Sequence, residues 1–447
     1  MIYVLSTLFL LGVLIFVHEL GHFWAARLVG IGVERFSIGF GPRLWGFIRG
    51  GTEYWIAAIP LGGYVKMQGM DDEVMERLEG KEAAQREPSA ADFDSKSIPA
   101  RAFVISAGVI MNMIFAFATY VFVAGAWGVE RPATTRVMAV EGAILPAGAG
   151  ALSEIAPGAT IVRVGHVTPQ TWGEIERALA DGEPGPVQLR TESPDGVFEI
   201  VLPEGRAERG RIASSLLYWV DPVVGEVVRG GPAATSSIEV GDLITSVAGV
   251  EVRSWTEVTR ELASRPGETI EIGLLREGNA LFRTVELGEI RSSTGEPVGR
   301  LGVYVAPVET HAVPVGLVDA IAIGAGRTVL VTGRILSFLG DLVTGGISPR
   351  ELGSLGTIAV ASGDAVERGA PAYLDFMALF SINLAILNML PIPVLDGGHM
   401  VFLGLELVRG RKLSVRQRLR WSQIGMVFVL AIMVWALSND ALRFLGF

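Results

Sequence analysis

The sequence predicts a multi-span α-helical membrane protein with a membrane-associated β-region and two tandem small α/β domains. Three observations predict it. Half of the 447 residues are hydrophobic and 19% are charged, with a mean hydropathy of +0.45, too apolar for an ordinary soluble chain of this size. Four apolar runs stand out, most of them close to the ~20 residues that a ~30 Å hydrocarbon layer requires. In the middle of the chain, "IAPGATIVRVGHV" at 155–167 matches "IEVGDLITSVAGV" at 238–250, an offset of 83 residues.

The first span occupies 1–30. It has no basic n-region and no clean small-residue cleavage site, so it reads as a retained span and not a signal peptide. Residues 31–101 form a loop. Within it, 33–67 alternate apolar and polar residues between glycines, which predicts short strands and hairpins that dip toward the membrane. The charged stretch 71–97 reads as a surface helix or a linker. The second span is 102–128.

Two small domains follow, 129–217 and 218–309. The repeat offset also pairs Trp172 with Trp255, Glu174 with Glu257 and Leu179 with Leu262. Each copy reads as turn, strand, turn, short helix and two more strands, and the constant period marks a tandem duplication. Residues 310–370 connect back to the membrane. Within them, 313–343 predicts an amphipathic helix outside or on the membrane, because Arg327 and Arg334 share one face. The third span is 371–396, the loop 397–420 follows, and the fourth span is 421–440.

Net charge is −10, which argues against nucleic acid as a partner. The chain has no cysteine, so disulfides and thiolate metal ligands are excluded. Basic residues set the orientation. "RGRKLSVRQRLR" carries Arg409, Arg411, Lys412, Arg416, Arg418 and Arg420, and the loop after span one is also rich in Lys and Arg. Positive charge stays on the cytoplasmic side, so both termini and 128–370 are expected outside, with 30–101 and 405–421 inside.

Histidines occur only at 18, 22, 166, 311 and 399. His18 and His22 are about 40° apart around a helix and about 6 Å apart along it, so both imidazoles can reach one ion. With Glu19 they form H-E-x-x-H, in which the glutamate is the candidate general base. Polar groups inside a span are costly, and metal coordination recovers that cost. Catalytic zinc keeps three protein ligands. Spans one and three share a direction, which brings "NMLPIPVLDGGHM" at 388–400 to the depth of His22. That geometry does not choose between Asp396 and His399 as third ligand. His166 and His311 are excluded by depth. Pro391 and Pro393 interrupt the helix before Asp396, as befits backbone lining a wet cavity. Asn383 and Asn388 are candidates for substrate binding by hydrogen bonds to its backbone, or for contacts to another helix.

"HELGH" in a first span, "NMLPIPVLDGG" in a later one and two inserted tandem domains together resemble the site-2 proteases, in particular the bacterial regulator-of-sigma-E group. The resemblance covers nearly the whole chain. It implies Zn2+ held by His18, His22 and Asp396, Glu19 as base, and Asn388 in substrate handling, since it matches the family's N-x-x-P-x-P-x-x-D-G pattern. It implies PDZ-like tandem domains in the periplasm of an inner-membrane protein. It also makes the strands around "GFGP" at 39–42 a membrane-associated region that pairs with extended substrate. The implied substrates are single-span membrane proteins, namely anti-sigma factors already trimmed outside, or signal-peptide remnants. "RLGVYV" at 300–305 could supply a peptide-terminus loop in the second copy. "GRIASSLLYWV" in the first has no evident equivalent, so a size filter is the alternative role. Two rival functions are an inactive PDZ-containing membrane scaffold, against which Glu19 speaks, and a transporter, against which the external position of the repeat speaks.

Overall fold

The computed structural model describes residues 1–70, 89–228, 230–291, 296–345 and 355–444. The chain divides into two compact units, Met1–Gly128 with Pro314–Phe447, and Val129–Val313. Most of the charged stretch expected as a surface helix or linker, 71–88, lies outside the described residues.

The first unit is a helical bundle with a curled sheet against it. Four of its helices are long and apolar enough to cross a membrane: Ile2–Leu28, Ile98–Trp127, Leu317–Thr344 and Ala370–Asn388. The first and last of these run parallel. Tyr373 Oη donates to the Ser6 carbonyl at 2.6 Å, and Asn388 Nδ2 lies 3.4 Å from His18 Nε2. Ile98–Trp127 runs antiparallel to the first helix, with Val104 beside His22 and Asn112 beside His18. Close approach is possible because Gly21 faces the Ala107 carbonyl, where a Cβ would collide.

Where the sequence predicts an amphipathic helix between the second and third spans, Leu317–Thr344 is a long helix that packs along the second span through Ala320, Gly324, Val331 and Ile335. Its Arg327 pairs with Asp375 at 3.0 Å and lies over the Tyr120 ring. The chain then comes back along the first helix through Leu355–Glu367, where Ser362 Oγ donates to Ser6 Oγ. The third span ends as a helix at Asn388, and the expected loop 397–420 begins instead with a helix, Asp396–Arg409. The last helix is Val415–Phe444.

The sheet is built from two long strands, Val33–Arg49 and Thr52–Met67, joined by Gly50 and Gly51, both at positive φ, as a tight hairpin turn demands. Both strands bend. Phe36 pairs with Tyr54 on one side and with Val65 on the other, while Phe47 also pairs with Tyr54. The order across the sheet is therefore 43–49, 52–57, 33–40 and 62–67. The root of the sheet is buried against Ala25, Ala26, Val104 and Ile105. The strand segment 62–67 pairs, among the described residues, with the segment that includes 33–38, and so stands last in that order.

In Val129–Val313 the repeat is visible as two similar cores. Ile155 and Ile238, Ile161 and Ile244, Val164 and Val247, and Leu179 and Leu262 are buried at equivalent places. Sheets of three and four strands carry them, each crossed by one short helix, Trp172–Ala180 or Trp255–Ala263. The repeated glutamates do the same work. Glu174 accepts from the Gln170 N–H and Glu257 from the Arg253 N–H, both at 2.7 Å.

Candidate metal centre

His18, Glu19 and His22 sit on the buried side of the first helix, each less than a tenth exposed. Asp396 arrives from the other end of the chain. After Asn388 the helix cannot continue, because Pro391 and Pro393 lack donors and bias the residues before them away from the helical region. The chain instead makes short-range turns, with the Ile392 N–H on the Leu390 carbonyl and the Val394 N–H on the Ile392 carbonyl, both at 2.7 Å. It restarts as a helix at Asp396. This doubling back explains the glycines that follow: a Cβ at Gly397 would collide with the Met389 and Leu390 carbonyl oxygens, and one at Gly398 with that of Ile392. The new helix is anchored by Arg101, whose guanidinium meets Glu406 through two bonds of 2.6 and 2.9 Å, a bidentate geometry of the strong kind.

The three metal-capable atoms meet closely. His18 Nε2 is 3.2 Å from His22 Nε2 and 3.2 Å from Asp396 Oδ2, and His22 Nε2 is 3.5 Å from the same oxygen. His22 Nδ1 donates to the Val104 carbonyl at 2.8 Å. Its Nε2 is then the nitrogen with the free lone pair. Asp396 Oδ2 is buried and has no hydrogen-bond donor. Lone pairs facing one another without donors repel, and a shared cation removes the conflict. Ligand atoms around a tetrahedral zinc stand about 3.3 Å apart, given bonds of about 2.0–2.1 Å, so the donor set and its spacing both fit such an ion.

The pocket around these atoms has a volume of about 400 Å³ and is lined by Glu19, Phe40, Gly63, Tyr64, Asn388 and His399, among others. The strand segment 62–67 passes directly beside the carboxylate side chain, since a Cβ at Gly63 would lie 3.0 Å from Glu19 Cγ. Among the described residues, His18, His22 and Asp396 are the group whose ligand atoms lie within 4.8 Å of one another. His399 lines the pocket without joining that group. Asn383, Pro391 and Pro393 do not line it. His166 and His311 are exposed in the other unit.

Two contributors escaped the sequence reading. A Cβ at Gly108 would stand 2.5 Å from His22 Nε2 and 2.6 Å from His18 Cε1, and Asn112 Nδ2 lies 3.4 Å from His18 Nδ1. The available signal was an asparagine within an apolar span, one helical turn after a glycine.

The profile of peptidase family M50 matches residues 6–432. The chain belongs to peptidase family M50. Relatives of this M50 peptidase extend over its full architecture. Regulator of sigma-E protease RseP of Escherichia coli (strain K12) is 34% identical over 97% of both chains. Protease RseP of Yersinia pestis is 34% identical, again over 97% of both. A putative zinc metalloprotease of Pasteurella multocida is 35% identical over 98% of both. Among solved structures, the PDZ domain of an SdrC-like protein from Listeria monocytogenes is similar to 20% of this chain and 90% of that one, at 24% identity and a TM-score of 0.17.

Proposed function

We propose that the protein is an intramembrane zinc metalloprotease in which His18, His22 and Asp396 hold the metal and Glu19 is the general base. One observation carries the reading: three lone-pair atoms 3.2–3.5 Å apart beside a buried carboxylate in one pocket, in a chain that belongs to a peptidase family. A zinc ion bound there supplies Lewis acidity toward the scissile carbonyl and the attacking water.

The chain's own residues do the rest. The Glu19 carboxylate takes the proton of the attacking water and returns it to the leaving amide nitrogen. A helical substrate hides its carbonyls in its own hydrogen bonds, so it is cut only where it is unwound. The strand segment 62–67, which lines the pocket, pairs its backbone with that extended stretch, as in strand addition. Asn388, whose Nδ2 already points at the site, is placed to hold a substrate carbonyl. Pro391 and Pro393, expected beside Asn383 to bind substrate, act on this reading through the turn that delivers Asp396.

The substrates we propose are single-span membrane proteins of the anti-sigma-factor kind. The protein then lies in the inner membrane with both termini and Val129–Val313 in the periplasm, by the placement of the basic loops. Cleavage of a transmembrane peptide by the reconstituted protein tests the reading. Wild type is expected to cut it, and Glu19→Gln is expected to keep zinc without cutting. Full turnover by that variant rejects the assigned base.

A further inference from the structure

One face of the second span serves both histidines. Val104, Gly108 and Asn112 recur every four residues and therefore stack along one side of the helix Ile98–Trp127. The Val104 carbonyl accepts from His22 Nδ1 at 2.8 Å. Gly108 has no side chain, and only that absence leaves room for both rings. Asn112 is fully buried, beside His18 Nδ1.

The Asn112 amide is held in place but not satisfied. Its backbone carbonyl takes the Ser381 hydroxyl at 2.8 Å, which ties this turn of the second span to the helix Ala370–Asn388. Its Oδ1 is buried with no partner among the described residues. Which end of the amide faces the ring is decided by the ring's proton. As a metal ligand, His18 turns the Nε2 lone pair toward the site, where His22 Nε2 and Asp396 Oδ2 are each 3.2 Å away. The proton of the neutral imidazole is then on Nδ1, the nitrogen that faces Asn112.

We infer that Asn112 is the positioning residue for His18: its Oδ1 accepts from Nδ1–H and thereby fixes the ring orientation and the tautomer whose Nε2 faces His22 and Asp396. The unpartnered oxygen and the ring donor satisfy each other in that arrangement. His18 gains from a side chain what His22 gains from the Val104 backbone. The pair differ in consequence: His22's partner cannot be removed by substitution, whereas His18's can.

Resting on the ligand set proposed above, this role is tested by zinc release from the purified full-length protein to a chelator. Thermal unfolding of the metal-free protein is measured in parallel. Asn112→Leu, close in volume but without an acceptor, is expected to release zinc about 10–100-fold faster. Its metal-free form is expected to melt no lower than the parent, because no buried amide is left unsatisfied. Asn112→Asp keeps an acceptor oxygen at the same reach and is expected to hold zinc like the parent. Parent-like release by Asn112→Leu, or equal loss in Asn112→Leu and Asn112→Asp, overturns the role. If Asn112→Leu does not fold, Asn112→Ala, which removes the amide and adds no bulk, decides by the same criterion. His22→Ala and Asp396→Asn in the same assay separate the two readings. If they retain zinc, the ligand set itself is wrong. If they lose it while the Asn112 variants do not, only the positioning role falls.

Discussion

The two units bury polar side chains to opposite effect. In Val129–Val313, buried Asp242 receives Arg276 Nε at 2.7 Å, Arg276 Nη2 at 2.9 Å and the Glu239 N–H at 2.9 Å. Its lone pairs are answered by donors, and the cluster stabilises a fold. In the membrane unit, His18, His22 and Asp396 turn acceptors toward one another with Glu19 beside them. On the proposed reading a cation completes that cluster, which then marks chemistry and not packing. A satisfied buried network and an unsatisfied one contain similar residue types; only the geometry separates them.

The largest effect that could break this contrast is catalytic. Glu19→Gln is expected to lower turnover of a transmembrane peptide by about 10²–10⁴-fold, the usual share of a general base, with zinc content, read by elemental analysis, near wild type. Next come His22→Ala and Asp396→Asn, for which zinc content and turnover fall together. If either keeps its zinc, the facing lone pairs are not the metal's ligands. Gly108→Ala follows. Its methyl would stand 2.5–2.6 Å from both rings, so weaker zinc binding is expected from a change that adds one carbon and removes no ligand.

In Val129–Val313 the effects concern stability. Asp242→Ala leaves Arg276 without its main partner and is expected to cost about 2–3 kcal/mol, the lower end for a buried pair because Arg276 still reaches water. Hydrogen exchange in the strands Leu243–Val247 and Thr269–Arg276 reads it. Burial pushes the Asp242 carboxyl up, but the bonds from Arg276 and the Glu239 backbone outweigh it and hold the pKa below the ordinary value. The folded state thus favours the carboxylate. Its stabilisation is complete above the unfolded pKa, near 4, and is lost as pH falls through the lower folded value. Asp242→Asn is expected to flatten that acid limb of protection.

The smallest effect separates the two copies. Ser254 caps its helix by accepting the Glu257 N–H at 3.3 Å, whereas Thr171 Oγ1, at the equivalent place, has no partner among the described residues. Ser254→Ala is expected to cost about 1 kcal/mol, and Thr171→Ala less, by the same exchange measurement. Equal losses would mean that the copies share one capping mode. They also differ at their last strands. In the second copy, Leu301 and Gly302, the latter at φ 77°, form a loop leading into Val303–Val305. In the first, the helix Arg206–Ser215 runs straight into Leu216–Tyr218 and lies along Trp172–Ala180, with Arg209 Nε on the Ala180 carbonyl.

Much of the site was legible because it is local. Two imidazoles four residues apart share a helix face whatever surrounds them, and H-E-x-x-H therefore declares itself. The 83-residue repeat was legible for a related reason, since equivalent buried positions must recur wherever the same core is built twice. The charges of 313–343 were legible but their partners were not, because a charge pattern does not say which aspartate on another helix an arginine meets. Arg327 finds Asp375, 48 residues away in the chain.

What the sequence by itself determined is the set of short-range arrangements: the paired histidines with Glu19, the break at Pro391 and Pro393, the strands and the tandem duplication. Only the tertiary structure shows that Asp396, and not His399, stands within 3.5 Å of both histidine nitrogens, that Val104, Gly108 and Asn112 line the histidines' other side, and that Gly63 passes beside Glu19. The reason is distance along the chain. Helical and strand periodicity fix neighbours within a few residues, whereas Asp396 and Asn112 reach His18 only through the packing of three helices, which no single segment encodes.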